Sequence, residues 1–157
     1  MRIEIDDVSR PQVLALLKEH LRNMYEITPA NKVFAFDANQ LRTPGVNFWT
    51  AWEGDILLGC AALKELSPTH GEVKSMRTPA RLRRRGAGRA LLAHILAVSR
   101  GRGYRELLLE TGRHPAFAPA QTLYRSVGFR ECGPFGAYQD NGSSVFMSLC
   151  LEGESAA

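Results

Sequence analysis

The chain has 157 residues, of which 45% are hydrophobic and 23% charged, and a formal net charge of +4. That length suits one ordinary domain with enough apolar material for a core, and the composition excludes long disordered stretches. No run approaches the roughly 20 apolar residues of a membrane-spanning helix, and residues 1–7 lack the regions of a secretory signal, so a cytoplasmic protein with no membrane partner is expected.

In chain order, residues 1–7 open with a strand-like alternation. Ser9 followed by Pro11 reads as a helix start, and Val13, Leu14, Leu17, Leu21 and Met24 recur at helical spacing, predicting an amphipathic helix to about Tyr25. Residues 28–31, Thr-Pro-Ala-Asn, break it, and residues 37–42 form a short second helix before the turn at Pro44 and Gly45. Residues 46–52, a turn at 53–55 and residues 56–63 predict an antiparallel hairpin. After another turn at 67–71, residues 72–78 are extended until Pro79 stops them. Strand alternation puts Glu72, Lys74, Met76 and Thr78 on one face.

Ala87, Leu91, Leu92, Ile95, Leu96 and Ser99 share one face of a helix that begins near Gly86 and closes at Gly101 or Gly103. Residues 106–111 are a short apolar strand, so strand, helix and strand imply a crossover between parallel neighbours. A last helix spans about 119–127 with Gly128 as its stop, and residues 129–132 and 144–151 make an antiparallel finish. The pattern predicts an α/β protein, a mixed sheet flanked by helices, as a single domain over residues 1–151 with a frayed tail at 152–157. Cys60, Cys132 and Cys150 lack paired spacing and lie in strand-like segments, which reads as reduced core thiols.

Five of the twenty Lys and Arg residues fall within Arg81-Leu82-Arg83-Arg84-Arg85-Gly86-Ala87-Gly88-Arg89, between an extended segment and a helix. A helix start presents unsatisfied N–H groups at the positive end of the dipole, and glycines let an anion approach them. Arginines add charge and bidentate donors, which suits a diphosphate. The loop has neither the Gly-Lys-Ser/Thr ending of an NTP site nor the third glycine, near Leu91, of a dinucleotide site. Charge this local argues for a local ligand and against nucleic acid.

Arg83-x-x-Gly86-x-Gly88 resembles the (Gln/Arg)-x-x-Gly-x-(Gly/Ala) pyrophosphate loop of the GNAT (Gcn5-related N-acetyltransferase) family, with a strand before it and a helix after it. Leu123-Tyr124-Arg125-Ser126-Val127-Gly128-Phe129 is similar to the family's Leu-Tyr-x-x-x-Gly-Phe segment. The resemblance spans about residues 72–129. It implies a central, mostly antiparallel mixed sheet with a splayed parallel pair, flanked by about four helices. It also implies a bacterial small-molecule type of acetyltransferase that moves the acetyl group of acetyl-CoA to a primary amine by direct attack in a ternary complex, without a metal.

On that resemblance, pantetheine would run along residues 72–78 against Met76, Arg77 and Thr78, and Arg83, Arg84, Arg85, Gly86, Ala87, Gly88 and Arg89 would hold the pyrophosphate. Tyr124 matches the family tyrosine whose hydroxyl faces the coenzyme A sulfur, the role of general acid. Glu72 matches a strand glutamate used as base; Lys74 beside it would lower its pKa, and Glu110 at the end of the next strand is its rival. Phe117 stands where many members carry Asn, seven residues before the tyrosine. The acceptor site would include His20, Met24, Tyr25, Phe34, Phe36 and Tyr138, and Lys64, Lys74 and Arg77 suggest an acceptor bearing a carboxylate. A protein amine as acceptor, a non-catalytic acyl-CoA-binding or regulatory module, and dimerisation stay open.

Overall fold

Alternating apolar residues on three consecutive strands build the frame of the protein, whose structure, a computed structural model, describes residues 1–151. Strand β1 (Arg2–Ile5) pairs with β2 (Val46–Glu53), β2 with β3 (Ile56–Ser67), and β3 with β4 (His70–Arg77), all antiparallel. Helix α1 (Pro11–Ile27) and the short α2 (Ala38–Leu41) interrupt the run between β1 and β2. After β4 come α3 (Ala87–Gly101), β5 (Glu106–Gly112), α4 (Ala118–Ser126), β6 (Arg130–Cys132) and β7 (Ser144–Cys150). The seven-stranded sheet has the order β1-β2-β3-β4-β5-β7-β6, and β4 with β5 is its parallel pair. The mixed sheet, the splayed pair and the four helices are the architecture expected from the sequence.

The period of β3 separates the two layers. Ala61 and Leu63 join Leu91, Leu92 and Ile95 of α3 on one face of the sheet, while Cys60 and Ala62 join Val13, Leu16 and Leu17 of α1 on the other. Helix α1, which Pro11 opens without a side-chain cap, runs two residues past the expected Tyr25 and stops at the extended Thr28. A capping box starts α2: the Asp37 carboxylate accepts from the Gln40 backbone N–H, and the Gln40 side chain accepts from that of Asp37. The turn expected at 67–71 is tighter, since β3 reaches Ser67 and β4 begins at His70.

Two expectations change. All three cysteines are free, but Cys60 alone is buried; Cys132 is half-buried and Cys150 exposed. Each of the latter two ends its strand, where cover is incomplete. The common face of Glu72, Lys74, Met76 and Thr78 also breaks. Cys60 pairs with Arg77 and Ala62 with Lys74, so one residue of β3 opposes two of β4, and Ser75 adopts φ +55. This bulge shifts the phase. Arg77 joins Lys74 on the face of Cys60 and Ala62, and Met76 packs instead with Val73 in the α3 layer.

Strands β4 and β5 stay paired from His70–Glu106 to Val73–Leu109 and then part, although β4 continues to Arg77 and β5 to Gly112. Among the described residues no helix is long and apolar enough to cross a membrane. The tail expected at 152–157 lies outside the described residues.

Ile95 is fully buried on α3 between the helix and the sheet. Its replacement by alanine is expected to cost about 2–5 kcal/mol, read as a lower urea midpoint with an unchanged slope.

Candidate active site

Where β4 and β5 part, a cavity of about 860 Å³ opens between the strand ends, α1, the start of α3 and α4. Its wall includes Met76, Arg77, Thr78 and every residue from Arg83 to Arg89, and also Tyr124 and Glu110. The fold thus gathers around one cavity all ten residues picked out for the cofactor, together with the proposed acid and one of the two carboxylates.

The loop before α3 is shaped by two left-handed residues, Arg84 at φ +67 and Gly86 at φ +83. A left-handed residue beside right-handed ones, as Gly86 stands before α3, turns successive backbone N–H groups toward one side, the concave arrangement that suits an anion. No side chain caps the start of α3, so its first N–H groups remain open to a ligand. A β-carbon at Gly86 would meet nothing within 4 Å; glycine is favoured there by its conformation, a left-handed φ costing other residues about 1–2 kcal/mol.

Phe117, at the position where Asn was expected, packs its ring on the backbone that ends β5. A β-carbon added at Gly112 would come within 2.2 Å of it, and Gln121 Nε2 donates to the Gly112 carbonyl at 2.7 Å. Phe117 and Gly112 together form part of the cavity wall.

Tyr124 is buried on α4 with its ring edge-on to Phe129, centroids 5.9 Å apart. Burial, helped by the nearby Glu110 carboxylate, pushes the phenol well above its usual range, so it keeps its proton. Glu110 accepts a hydrogen bond from Ser144 Oγ at 2.7 Å. Burial raises its carboxyl pKa to about 7, against the opposing pull of Ser144 and Lys74. The cavity therefore holds a protonated phenol and a carboxylate poised to exchange a proton near neutrality.

Glu72 has a different setting. It is 2% exposed and accepts hydrogen bonds from Lys74 Nζ at 3.3 Å and from Tyr138 Oη at 2.7 Å. Lys74 Nζ also donates to the Phe34 carbonyl at 3.3 Å and to Tyr138 Oη at 3.0 Å, and lies 4.3 Å from the centre of the Phe36 ring. Tyr138 packs edge-on against Phe34 and Phe135, both at 5.0 Å. The cluster ties the β6–β7 loop to β4 and to the segment after α1.

Of the residues suggested for an acceptor, His20, Met24, Phe34, Lys74 and Arg77 line the cavity, while Phe36 and Tyr138 stand behind the wall and pack against Lys74. Tyr25 does not contribute: it is 57% exposed, since five residues beyond His20 turns it about 140° away on α1. Ser75 and Ser144 gave no signal in the sequence, because a bulge and a cross-strand partner are visible only after pairing. Cys60 is no nucleophile, burial raising its thiol to about 12. Among the described residues no group of His, Cys, Asp and Glu is placed to hold a metal ion.

Residues 11–129 match the acetyltransferase (GNAT) family. Over 151 residues the chain is 47% identical to YsnE, an uncharacterized N-acetyltransferase of Bacillus subtilis, covering 96% of this chain and 100% of that protein. A candidate acyl-CoA N-acyltransferase of Klebsiella pneumoniae superposes with a TM-score of 0.75 at 26% identity, over 96% of this chain and 97% of that one. An acetyltransferase of Bacillus subtilis solved in complex with CoA shares the fold, with a TM-score of 0.67 at 20% identity over 96% and 98% of the two chains.

The folded protein retains the Glu110 proton up to about pH 7, whereas the unfolded chain releases it in the ordinary carboxylate range. The fold binds more protons in that window, so the stability owed to this group falls as pH rises through it. Glu110→Gln cannot ionise and should gain on the wild-type protein in urea midpoint between about pH 5 and about pH 8. A difference that does not change with pH would mean that Glu110 titrates normally.

Proposed function

We propose, from the premise that the chain belongs to the acetyltransferase (GNAT) family and is an acetyl-CoA-dependent acyltransferase, that its acceptor is the primary amine of a small molecule, attacking directly in a ternary complex. The observation that carries this reading is the parting of β4 and β5, which joins a free strand edge, an anion nest and two proton-transfer groups in one cavity. On the acceptor side α1 and the residues that follow it bound the cavity, including Met24, Ile27, Val33 and Phe34. That wall leaves room for a small molecule.

The residues present fit acetyl-CoA. The open amides of Arg84, Arg85, Gly86, Ala87, Gly88 and Arg89, with Arg83, suit a pyrophosphate. Beyond Val73 the backbone of β4 no longer pairs with β5, so the N–H and C=O groups of Met76 and Thr78 are available to an amide-bearing chain lying beside them as an added strand. Bound there, acetyl-CoA supplies the acetyl group as an activated thioester.

The chain's own residues then have to move two protons. Glu110 is the base this setting supports, being on the cavity wall and ionised in good part at neutral pH. Glu72, the other carboxylate considered, already accepts from Lys74 and Tyr138, and we assign it the positioning of that pair. Tyr124 is the acid, its raised pKa keeping a proton ready for the departing sulfur. The bulge at Ser75 leaves a residue of β4 outside the ladder, and its amide is a suitable donor to the oxygen on which charge develops.

Acetyl-CoA at a hundredfold excess over its Kd is expected to stabilise the fold by about 2.7 kcal/mol, with NAD and ATP doing much less; equal thermal shifts for all three would reduce the site to a generic phosphate binder. Tyr124→Phe should keep acetyl-CoA affinity while kcat falls by roughly 10²–10⁴, measured as thiol release across an amine panel. Glu110→Gln should remove the rise of kcat/KM with pH near 7. Full activity in both variants would sink the acid and base assignments, and no thiol release from the wild-type protein with any amine would sink acetyl transfer to small molecules.

A further inference from the structure

Three buried side-chain atoms have no hydrogen-bond partner among the described residues: His20 Nδ1, Ser75 Oγ and Arg77 Nε. An unmet buried donor or acceptor carries its full desolvation cost, so such atoms are rare and call for a partner. These three are not scattered. Each belongs to a residue on the wall of the active-site cavity, on the side where α1 meets the bulged end of β4. His20 is 8% exposed and Ser75 9%, and the Arg77 side chain 10%.

The chemistry of the three is complementary to an anion. Arg77 Nε can only donate. Glu19 accepts from Nη2 of the same guanidinium at 2.9 Å, which holds the group in place and leaves Nε unmet. The Ser75 hydroxyl can rotate to donate. His20 is neutral at physiological pH, burial and then the Arg77 charge lowering its pKa to about 4, so one of its ring nitrogens carries a proton to offer.

The other two cations suggested for an acceptor carboxylate are unsuited to it. The three donors of Lys74 Nζ already reach Glu72, the Phe34 carbonyl and Tyr138. Lys64 lies over the Phe36 ring at 5.5 Å and is not on the cavity wall. Arg77 reaches the cavity on this side because the bulge at Ser75 shifts the phase of β4.

We propose that His20, Ser75 and Arg77 form a subsite for a carboxylate on the acceptor, and hence that the substrates are amino acids, molecules carrying both a free amine and a carboxylate. The assignment rests on the acetyl-transfer reading above and deepens it. Met24 and Ile27, on the same wall, favour an apolar body between the two groups. The product is an N-acetylated amino acid: the amine nitrogen forms the new bond to the acetyl carbon, the carbon–sulfur bond breaks, one amine proton passes to Glu110, and the sulfur takes a proton from Tyr124.

The test compares glycine, γ-aminobutyrate, leucine and phenylalanine with their decarboxylated counterparts, methylamine, propylamine, 3-methylbutylamine and phenethylamine. At least one amino acid should exceed its counterpart in kcat/KM, and Arg77→Gln should collapse that ratio by about 10- to 100-fold, the worth of a charge-assisted hydrogen bond. Ser75→Ala, which leaves the Glu19–Arg77 pair intact, should lower the same ratio several-fold and serves if Arg77→Gln fails to fold. Counterparts acetylated as well as the amino acids, or a ratio unmoved in both variants, would overturn the subsite while acetyl transfer stands. If no amine is acetylated the transfer reading fails, and calorimetry with N-acetylleucine and N-acetylleucine amide in the presence of CoA decides the subsite alone. Tighter binding of the carboxylate, abolished in the variants, supports it; equal binding of the two overturns it.

Discussion

Two parallel strands that stop bonding to each other part-way along their length are the constraint on which this protein's chemistry depends. Below Val73 and Leu109 the pair is ordinary sheet, buried between helical layers. Above it, each strand keeps its other neighbour: β3 holds β4 to Arg77, and β7 holds β5 to Gly112. The V is therefore rigid on both outer sides and open only within. Backbone groups there would be costly to leave unpaired in a dry interior, and an open cavity lets water or a strand-like ligand satisfy them.

The bulge at Ser75 sits at the same level. It turns a period-2 strand into one whose polar side chains at 72, 74 and 77 share a side, while Met76 is released to the α3 layer. The acceptor side thereby gains an arginine and the α3 side an apolar contact. A left-handed φ at a serine is strained, and the ladder to β3 on both sides of the bulge holds it.

The two carboxylates of the site differ by environment. Glu72 lies between an ammonium and a phenol that both donate to it, and it binds a loop to the sheet. Glu110 accepts from one serine hydroxyl, and burial holds its proton until about pH 7. Both end in the same carboxyl group, and burial with its hydrogen-bond partners separates their roles. The same low-dielectric surroundings keep Tyr124 protonated, so one cavity holds a phenol that keeps its proton and a carboxyl group that gives its proton up near neutrality.

Local signals carried much of this in the sequence. Hydrophobic spacing determined α1 and α3, turn residues determined the β2–β3 hairpin, and the order of strand, arginine-glycine loop and helix pointed to an anion site, because each depends on near neighbours in the chain. The loop at 83–89 and Tyr124 were legible for that reason. What depended on distant partners was not: the phase shift after Ser75 comes from register with β3, the raised pKa of Glu110 from burial beside β7, the Tyr138 partner of Glu72 from a loop 66 residues away. Period-2 alternation assigned Met76 to the wrong face because a bulge leaves no mark in composition. Tertiary structure alone decided which carboxylate faces the cavity and which polar atoms were left without a partner, since hydrogen-bond satisfaction is a property of the packed whole.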